Sequence, residues 1–430
     1  MLSRLLERDR PADDAALWLR ARSAIANGTM TLSKMPDRYV DGVYPKYVVR
    51  GDGCRLYDSA GKEYIDYICG LGTNFLGYRN EAVDNAVIRL IAETGNIFSL
   101  PHPDEVVLAE RLRQVVQCCQ KIKIFKTGSE AVSAAVKTAR IVTGREKVLV
   151  CGYHGWHDWY TVSTDKAAGI PGQLKGLVAK FKYNDVPDLE RLLKRGDVAA
   201  VIMEPVVYEE PRRGYLEAVS ALAGKHGALL VFDEVVTGVR FGLGGAMRHY
   251  GVTPDLACYS KALGNGYPIA VLMGRDMAMA AFDRPDFFVS GTFGGDLVGI
   301  IAAMAVMDAI AADEAGTIGR IWKAGRDLAM GFNSIVLRLG LDGVYCRGTA
   351  PRTIFDFPSA EHKALFWQEC VRRGVLFGHA NFTCAAHDDE AISRTLDVCA
   401  AALTAAKRAW KRPTSSLDGP IPVEVFRLPR

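Results

Sequence analysis

The chain lacks three features that would direct it to a membrane, a secretory pathway or a nucleic acid. No run approaches about 18 uninterrupted apolar residues, which excludes the usual membrane-spanning helix. The N-terminal stretch carries acidic residues early and has no apolar core of the kind that a secretory signal needs. The formal net charge is only +4 over 430 residues, without the basic stripe typical of nucleic-acid binding. We therefore expect neither a membrane nor a nucleic acid as a partner.

The cysteines lack the spacing of a metal-binding or redox motif. Ten of them are scattered along the chain without a C-x-x-C pair, and several lie within apolar runs. In a chain of this size they are typical of reduced residues in a protein core, so we expect a cytoplasmic protein. Hydrophobic residues make up 49% of the sequence, enough for a large core divided between two lobes.

Two short apolar runs each end in a residue with catalytic potential. Ala228–Phe232 is followed by Asp233 and Glu234, and Leu256–Ser260 is followed by Lys261 and a Gly-Asn-Gly loop. Runs this short and apolar are typical of buried strands in a parallel sheet, where ligands bind outside the carboxyl ends. The carboxylate and the amine can therefore face one crevice.

This pair of residues has two interpretations. A buried lysine and a buried aspartate can form a structural ion pair, because such residues are rare in a core unless they are paired. Alternatively, a desolvated lysine can form a Schiff base with the aldehyde of pyridoxal phosphate (PLP), while an aspartate keeps the pyridine nitrogen of that cofactor protonated. The two residues alone leave both interpretations open.

The sequence around the pair resembles the class III aminotransferases. D-E-V-V-T-G-V-R is followed, 28 residues after its aspartate, by the lysine of Y-S-K-A-L-G-N-G-Y-P. The branch it resembles more closely is that of glutamate-1-semialdehyde aminomutase, and the resemblance runs from about Tyr44 to about Leu403. It implies a PLP-dependent enzyme of fold type I, in which Lys261 is the Schiff-base lysine and Asp233 the partner of the pyridine nitrogen. Val235 matches the apolar residue that packs on one face of the cofactor ring.

A strand, a glycine turn and a helix start predict an anion site. Ile122–Phe125 is a short apolar strand, and a helical pattern begins after Thr127, Gly128 and Ser129. Free backbone N–H groups and the positive end of the helix dipole would face this turn, although an ordinary turn capped by Ser129 has the same pattern. The resemblance implies that these three residues bind the cofactor phosphate. Lys126 stands where the family usually has asparagine.

The stretch C-G-Y-H-G-W-H-D-W-Y is rich in aromatic residues. His154 and His157 lie three residues apart, but no further group of metal ligands accompanies them, so we expect no metal. The resemblance implies that Tyr153 stacks over the cofactor ring, on the face opposite the apolar residue, with His154 beside the pocket. Trp156 and Trp159 are candidates to line the substrate side.

Two further positions follow from the resemblance. Glu204, in an E-P motif after an apolar strand, either supports the surroundings of the cofactor or has a structural role. Thr292, in a Gly-Thr turn before a long apolar helix, either reaches across a dimer interface to the partner's cofactor phosphate or is a plain turn residue. The first reading of Thr292 implies a homodimer with shared active sites.

Candidate substrate contacts are fewer. The glycine-rich loop Gly70–Gly77 borders the substrate pocket in the family, which makes Leu71, Thr73 and Asn74 candidates. Many relatives hold a substrate carboxylate with an arginine, for which Arg240 is the nearest candidate here. The variants W-H-D-W-Y and S-K-A-L-G-N-G-Y-P are similar to those of relatives in carbohydrate pathways. They favour a polar, sugar-like aldehyde or ketone, or a small functionalised one, as amino acceptor.

The order of elements predicts the fold. Strands alternate with helices between about Ile122 and Met307, which indicates an α/β fold with a mostly parallel, doubly wound sheet. We expect residues 76–310 to form this large PLP-binding domain. Residues 1–75 are expected to supply an amphipathic helix over Ala12–Ile25 and a small sheet, and residues 311–430 a smaller α+β domain with an extended tail.

The expected reaction is amino transfer from a donor such as glutamate to a separate aldehyde or ketone. The alternative is an intramolecular aminomutase of the glutamate-1-semialdehyde type. Two differences from that enzyme favour the transferase. The segment from Tyr153 to Asp185 is shorter than its closing loop, and Leu71 stands where it usually has tryptophan. A non-catalytic protein of the same fold is a third alternative, against which intact Lys261 and Asp233 argue.

Overall fold

The structure is a computed structural model and describes residues 13–423. The start of the N-terminal stretch analysed above (residues 1–12) and the end of the predicted tail (residues 424–430) lie outside the described residues. The chain divides into two compact units. Of the described residues, one unit contains 13–69, Gly77–Arg79 and 320–423, and the other contains Gly70–Leu76 and Asn80–Gly319.

The helices and strands of the described residues have the following bounds. The helices are α1 (Asp14–Ala24), α2 (Glu81–Glu93), α3 (Pro103–Val115), α4 (Gly128–Thr143), α5 (Asp158–Thr161), α6 (Val186–Leu193), α7 (Tyr215–Lys225), α8 (Gly245–Tyr250), α9 (Asp276–Met279), α10 (Leu297–Ala311), α11 (Glu314–Leu339), α12 (Ala360–Arg372) and α13 (Asp389–Arg408). The strands are β1 (Val48–Asp52), β2 (Arg55–Asp58), β3 (Glu63–Asp66), β4 (Lys121–Phe125), β5 (Lys147–Cys151), β6 (Val178–Lys180), β7 (Val198–Met203), β8 (Leu229–Glu234), β9 (Leu256–Tyr259), β10 (Ala270–Gly274), β11 (Tyr345–Thr349), β12 (Arg352–Asp356), β13 (Val375–Leu376) and β14 (Asn381–Phe382).

The larger unit is built on a seven-stranded sheet in the order β4-β10-β9-β8-β7-β5-β6. Strands β9, β8, β7, β5 and β6 run parallel, whereas β10 is antiparallel to both of its neighbours. Every residue of β7 and β8 is buried, as expected for apolar strands covered by helices on both faces. The predicted α/β fold with a mostly parallel sheet is therefore confirmed.

Helix α4 covers part of this sheet and begins at the predicted anion turn. Thr127 caps its N-terminus in a capping box with Glu130, and Gly144, with a φ of 65°, ends it in the left-handed region. The apolar side chains of its buried face pack against those of the sheet strands in one core; they include Ala131, Val132, Ala135, Val136 and Ala139. The helix start is thereby fixed at the carboxyl end of β4.

The smaller unit contains two sheets. One has the order β1-β2-β3-β13, in which β13 pairs in parallel with β3, and the other has the order β11-β12-β14 with antiparallel pairing. Helix α1 is present as predicted, but Ala21 is its only buried residue and Leu19 is 72% exposed. Leu17, Trp18 and Ile25 are half-buried, so the predicted apolar face is packed only in part among the described residues.

Among residues 13–423, no helix combines the length and the apolarity needed to cross a lipid bilayer.

Candidate active site

Asp233 and Lys261 lie at the same edge of the central sheet. In the parallel pair of β8 and β9, Asp233 is opposite Cys258, and Lys261 comes two residues after the end of β9. Asp233 is buried, whereas Lys261 is half-buried and has a φ of 46°. A left-handed backbone is rare for a lysine, and such strain is concentrated at functional sites. The structure thus brings the predicted acid and amine to neighbouring strand ends.

The carboxylate of Asp233 is held by two groups. Its Oδ2 lies 2.7 Å from Nδ1 of His154, and its Oδ1 accepts a hydrogen bond from the Val235 N–H at 3.1 Å. The side chains of Asp233 and His154 are 4% and 0% exposed. The second imidazole nitrogen, Nε2, is buried without a hydrogen-bond partner in the described part of the chain. This carboxylate therefore has one fixed orientation and is shielded from bulk solvent.

Glu234, the neighbour of Asp233, directs its carboxylate to other protein groups and not into the candidate site. Its carboxylate accepts hydrogen bonds from the N–H groups of Ala246 (2.6 Å) and Met247 (2.9 Å) and from the hydroxyl of Thr237 (2.9 Å). Burial raises the pKa of Glu234 to about 7, although the three hydrogen bonds favour the anion. Glu234 thus links the end of β8 to the start of α8.

The predicted phosphate turn lies at the same edge. Because β10 is antiparallel to both β4 and β9, the carboxyl ends of β4 and β9 point the same way. A Cβ atom on Gly128 would come within 2.8 Å of the Val235 side chain, and one on Gly155 would collide with the Ser129 hydroxyl. The Thr127–Ser129 turn is therefore packed directly against Val235 and Gly155.

Glu204 supports the segment that carries Tyr153. Its Oε1 accepts a hydrogen bond from the Tyr153 N–H at 2.9 Å, and a Cβ atom on Gly152 would lie 2.8 Å from this carboxylate. Burial raises the pKa of the Tyr153 phenol, and the carboxylates of Asp233 and Glu204 add to this effect. Tyr153 as a whole is 40% exposed.

These groups fit PLP. At this edge, Asp233 can face a pyridine nitrogen, Lys261 is a half-buried amine, and the N-terminus of α4 can hold a phosphate. Val235 supplies an aliphatic side chain against the phosphate turn, and Tyr153 supplies an exposed aromatic residue. The sequence pattern of the family described as Aminotransferase class-III matches residues 39–379. The chain belongs to this family.

Known relatives agree with this assignment along most of the chain. The chain is 32% identical to a 3-aminobutyryl-CoA aminotransferase of Cloacimonas acidaminovorans, over 94% of this chain and 100% of that protein. It is 34% identical to a glutamate-1-semialdehyde 2,1-aminomutase of Methanothrix thermoacetophila, over 82% and 89% respectively. A structure of the FumI protein of Sphingopyxis sp. MTA144 in a PLP internal aldimine form is 29% identical, with a TM-score of 0.87 over 94% of this chain and 98% of that one. The predicted enzyme class, a PLP-dependent aminotransferase of fold type I, is confirmed.

The tryptophans of this aminotransferase differ in their surroundings. Trp156 is 68% exposed, whereas Trp159 donates a hydrogen bond from Nε1 to the Ser133 hydroxyl at 2.8 Å. The same hydroxyl lies 2.7 Å from Nδ1 of His157 and donates to the Ser129 carbonyl at 2.8 Å. Trp159 is thereby anchored to α4, and the substrate roles of both tryptophans stay predictions.

The loop with the predicted substrate contacts is largely buried, and Arg240 is hydrogen-bonded to it. Asn74 is buried, and Leu71 and Thr73 are half-buried. Arg240 is fully buried, and its Nη2 donates a hydrogen bond to the Gly72 carbonyl at 2.5 Å. This bond holds the guanidinium to the loop backbone, and the role of Arg240 in binding a substrate carboxylate stays a prediction. The sequence motif T-G-V-R contained no signal for this backbone contact.

Thr292 lies in an exposed turn of the aminotransferase, just before α10. The turn is tied to the phosphate turn by an ion pair, since Nζ of Lys126 lies 2.6 Å from Oδ2 of Asp296. The side chains of this pair are 17% and 10% exposed. Lys126, the departure from the family pattern, therefore joins two segments that the sequence predicts to bind phosphate.

Outside the sheet edge, one group of three possible metal ligands lies together in the described residues. Cys69, Cys384 and His387 are buried with their ligand atoms within 4.8 Å of one another. The sulfur of Cys384 lies 3.1 Å from Nδ1 of His387, which also accepts a hydrogen bond from the Cys384 N–H. The Cys69 thiol donates to the carbonyls of Asp66 and Phe382 at 3.4 Å each. These atoms are thus engaged in hydrogen bonds within the protein.

Proposed function

We propose that this class III aminotransferase moves an amino group from a donor such as glutamate to the aldehyde or ketone of a second molecule. The observation that carries the proposal is the buried carboxylate of Asp233, which His154 holds at 2.7 Å beside the strand end that leads to Lys261. A non-catalytic binding protein would not need a fixed buried acid next to an amine on a strained backbone.

Each residue at the ring has a proposed task. PLP, when bound, supplies an aldehyde that condenses with amines and a ring that withdraws electrons from the amine-bearing carbon. Asp233, oriented by His154, keeps the ring nitrogen protonated, while Val235 and Tyr153 cover the two ring faces. Lys261 holds the cofactor through Nζ and, once the donor amine has displaced it, moves a proton at the amine-bearing carbon of the donor.

The phosphate is proposed to bind at the N-terminus of α4. The N–H groups of Gly128 and Ser129 lie at the positive end of this 16-residue helix, where anions are stabilised. The Thr127 hydroxyl donates to Oε2 of Glu130 at 2.9 Å and so helps to fix the turn. The Ser129 hydroxyl is the side-chain donor that we assign to the phosphate.

The acceptor is proposed to be a polar, sugar-like or small functionalised aldehyde or ketone. The aromatic stretch with exposed Trp156 supports this, because an aromatic ring can stack on the apolar face of a sugar ring. A 3-oxoacyl compound is the competing acceptor, because the 3-aminobutyryl-CoA aminotransferase is similar over its whole length. A panel of carbonyl compounds distinguishes the two.

The second candidate function is that of an aminomutase acting within one molecule. It is favoured by the 34% identity to a glutamate-1-semialdehyde 2,1-aminomutase. Against it stand the shorter segment from Tyr153 to Asp185, which leaves less chain to close over an intermediate, and Leu71 in place of tryptophan.

The decisive experiment follows the visible absorbance of the PLP-loaded protein while single substrates are added. For an aminotransferase, glutamate or alanine alone should remove the band, and one carbonyl class should restore it. A band that responds only to a semialdehyde or a diamine would instead support the aminomutase. A folded protein that gives no band with added PLP would contradict the role of Lys261. The matched control is Lys261→Ala, which should lack the band.

We further propose that the enzyme is a homodimer with shared active sites. The larger unit exposes many large apolar side chains on α2, on the segment after it, on α3 and around the Thr292 turn: Ile88, Ile91, Ile97, Phe98, Leu100, Val106, Phe288 and Phe293. The Asn96 carbonyl accepts a hydrogen bond from the Leu297 N–H at 2.9 Å, which ties this segment to the start of α10. Exposed apolar groups on this scale indicate an interface, and a second copy of the chain is the proposed occupant.

A further inference from the structure

The loop Gly70–Leu76 has an unusual backbone. Gly70, Leu71 and Gly72 are three consecutive residues in the left-handed region, with φ values of 60°, 62° and 84°. Leu71 has a Cβ atom that disfavours this region, so the loop cannot hold its shape by local preference alone. Such a conformation persists only when the surrounding protein fixes it.

Asn265 fixes the end of this loop. Its Oδ1 accepts hydrogen bonds from the N–H groups of both Phe75 and Leu76, each at 2.8 Å. Asn265 is buried and itself left-handed, with a φ of 44°, and it ends the short helical turn that begins at Lys261. The side chain therefore ties the loop to the turn that carries the amine.

Arg240 fixes the start of the same loop from the other side. Its Nη2 donates to the Gly72 carbonyl at 2.5 Å, and its guanidinium carbon lies 5.5 Å from the centre of the Phe75 ring. Its Nε donates to the Val236 carbonyl at 3.3 Å, in the segment that directly follows Asp233 and Val235. The loop is thus connected to both turns of the active site.

We propose that Asn265 and Arg240 are positioning residues, which hold the Gly70–Leu76 loop as a wall of the substrate site. The inference rests on the proposed function, since it assigns the loop to the site of Lys261 and Asp233. Neither residue touches the reacting atoms in this assignment. Asn265 and Arg240 order the loop before the substrate binds, so the free energy of substrate binding does not include the cost of ordering the loop.

The first test measures the loop directly and needs no catalysis. Hydrogen exchange is followed by mass spectrometry on the cofactor-free protein, in peptides that cover residues 70–76. Asn265→Ala should speed exchange at Phe75 and Leu76 by roughly tenfold, because both amides lose their acceptor. Asn265→Asp keeps an acceptor oxygen and should restore most of the protection.

The matched control is Asn184→Ala. Asn184 is also left-handed, with a φ of 59°, and its Oδ1 accepts the Arg212 N–H at 2.8 Å in a different loop. Exchange at residues 70–76 should not change in this variant. Equal exchange rates at residues 70–76 in the wild type and in Asn265→Ala would overturn the proposal. This outcome does not depend on which substrate the enzyme uses.

The second test separates binding from chemistry. In the PLP-loaded enzyme, Asn265→Ala and Arg240→Met should raise KM for the amino donor about tenfold while kcat falls less than about threefold, as expected for lost ground-state ordering. Asn265→Asp should recover KM. A fall in kcat without a change in KM would overturn the positioning role, and if Arg240→Met does not fold, the Asn265 series decides alone. Loss of the wild-type donor response would refute the proposed function instead.

Discussion

Asp233 owes its orientation to two hydrogen bonds, one from the Val235 N–H and one with Nδ1 of His154. The first is local, because the donor lies two residues away in the same turn. The second joins two residues that are 79 positions apart in the chain, one at the end of β8 and the other in the segment that follows β5. At the scale of single residues, the site therefore combines a turn that the sequence encodes locally with a partner that only the sheet order supplies.

The carboxylate of Asp233 gives the first prediction. Asp233→Asn keeps the size and one acceptor but removes the negative charge that favours a protonated ring nitrogen. We expect kcat/KM to fall on the order of 100-fold or more at full cofactor occupancy.

Asp255→Asn is the matched control for this variant. Asp255 binds the other end of the same strand, where its Oδ2 accepts the Leu230 N–H at 2.9 Å. Activity in the control should stay within about threefold of the wild type, because its carboxylate lies away from the site. Equal losses of activity in the two variants would show that Asp233 only stabilises β8 and does not act on the cofactor ring.

Glu234 gives a prediction about pH. Its pKa in the folded protein is about 7, above the ordinary 4.5, so the folded state binds the proton more tightly than the unfolded state. The stabilisation is therefore complete below about pH 4.5 and is lost as the pH rises through about 7. Between these limits the free energy of unfolding, relative to that of Glu234→Gln, should fall by about 3 kcal/mol, since each unit of pKa difference corresponds to about 1.4 kcal/mol.

Urea denaturation at a series of pH values measures this difference. The glutamine variant cannot titrate at this position, so it serves as the reference at each pH. Parallel pH curves for the two proteins would mean that the three hydrogen bonds to the carboxylate offset its burial completely.

At the scale of elements, the ion pair of Lys126 and Asp296 joins the start of α4 to the start of α10. Both side chains are largely buried, and Asp296 also caps α10 through the Gly299 N–H. Removing one partner leaves a buried charge, so Lys126→Met should lower the free energy of unfolding by about 3 kcal/mol. The double variant Lys126→Met/Asp296→Leu should lose less than the sum of the single changes.

The pair of Lys121 and Asp283 provides the control for the ion pair. Its side chains are 50% and 74% exposed and 3.4 Å apart, so Lys121→Met should change the free energy of unfolding by less than about 1 kcal/mol. Chemical denaturation measures both effects. A loss of similar size in the two lysine variants would contradict the importance of burial at Lys126.

The sequence predicted most elements of the larger unit because their patterns are local. The predicted strands Ala228–Phe232, Leu256–Ser260 and Ile122–Phe125 agree with β8, β9 and β4 to within two residues at each end. Buried parallel strands are continuous apolar runs with turn residues at both ends, which a single sequence displays directly. The glycine turn before α4 was recognisable for the same reason.

Contacts between distant segments could not be predicted in this way. The antiparallel direction of β10 depends on pairing with β4 and β9, which leaves no mark on its own apolar run. The hydrogen bond from Arg240 to the Gly72 carbonyl is another such contact, because the sequence around an arginine carries no sign of a carbonyl partner 168 residues away. The bond between His154 and Asp233 likewise appears only when β5 and β8 share a sheet.

At the scale of the whole molecule, the exposed apolar side chains around Thr292 and on the neighbouring segment are unfavourable for a single chain in water. Phe293 is 61% and Leu100 79% exposed. Covering such groups with a second copy removes apolar area from water, and twofold symmetry makes each copy bring the same turn to its partner. In the homodimer that we propose, Thr292 of one copy and Lys261 of the other belong to one shared site.

Mixed dimers test this arrangement. A dimer of one Lys261→Ala copy and one Thr292→Val copy, isolated through two different affinity tags, would contain one site with both residues intact if Thr292 reaches its partner. Its activity should then recover to about half that of the wild-type dimer, because one of two equivalent sites is whole. If Thr292 serves its own copy, both sites are damaged and the mixed dimer should be no more active than the average of the two parent variants. The PLP affinity and the dimer content of the Thr292→Val homodimer then distinguish a phosphate contact from a structural turn. If Thr292 contacts the phosphate, the substitution should weaken PLP binding and leave dimer assembly unchanged.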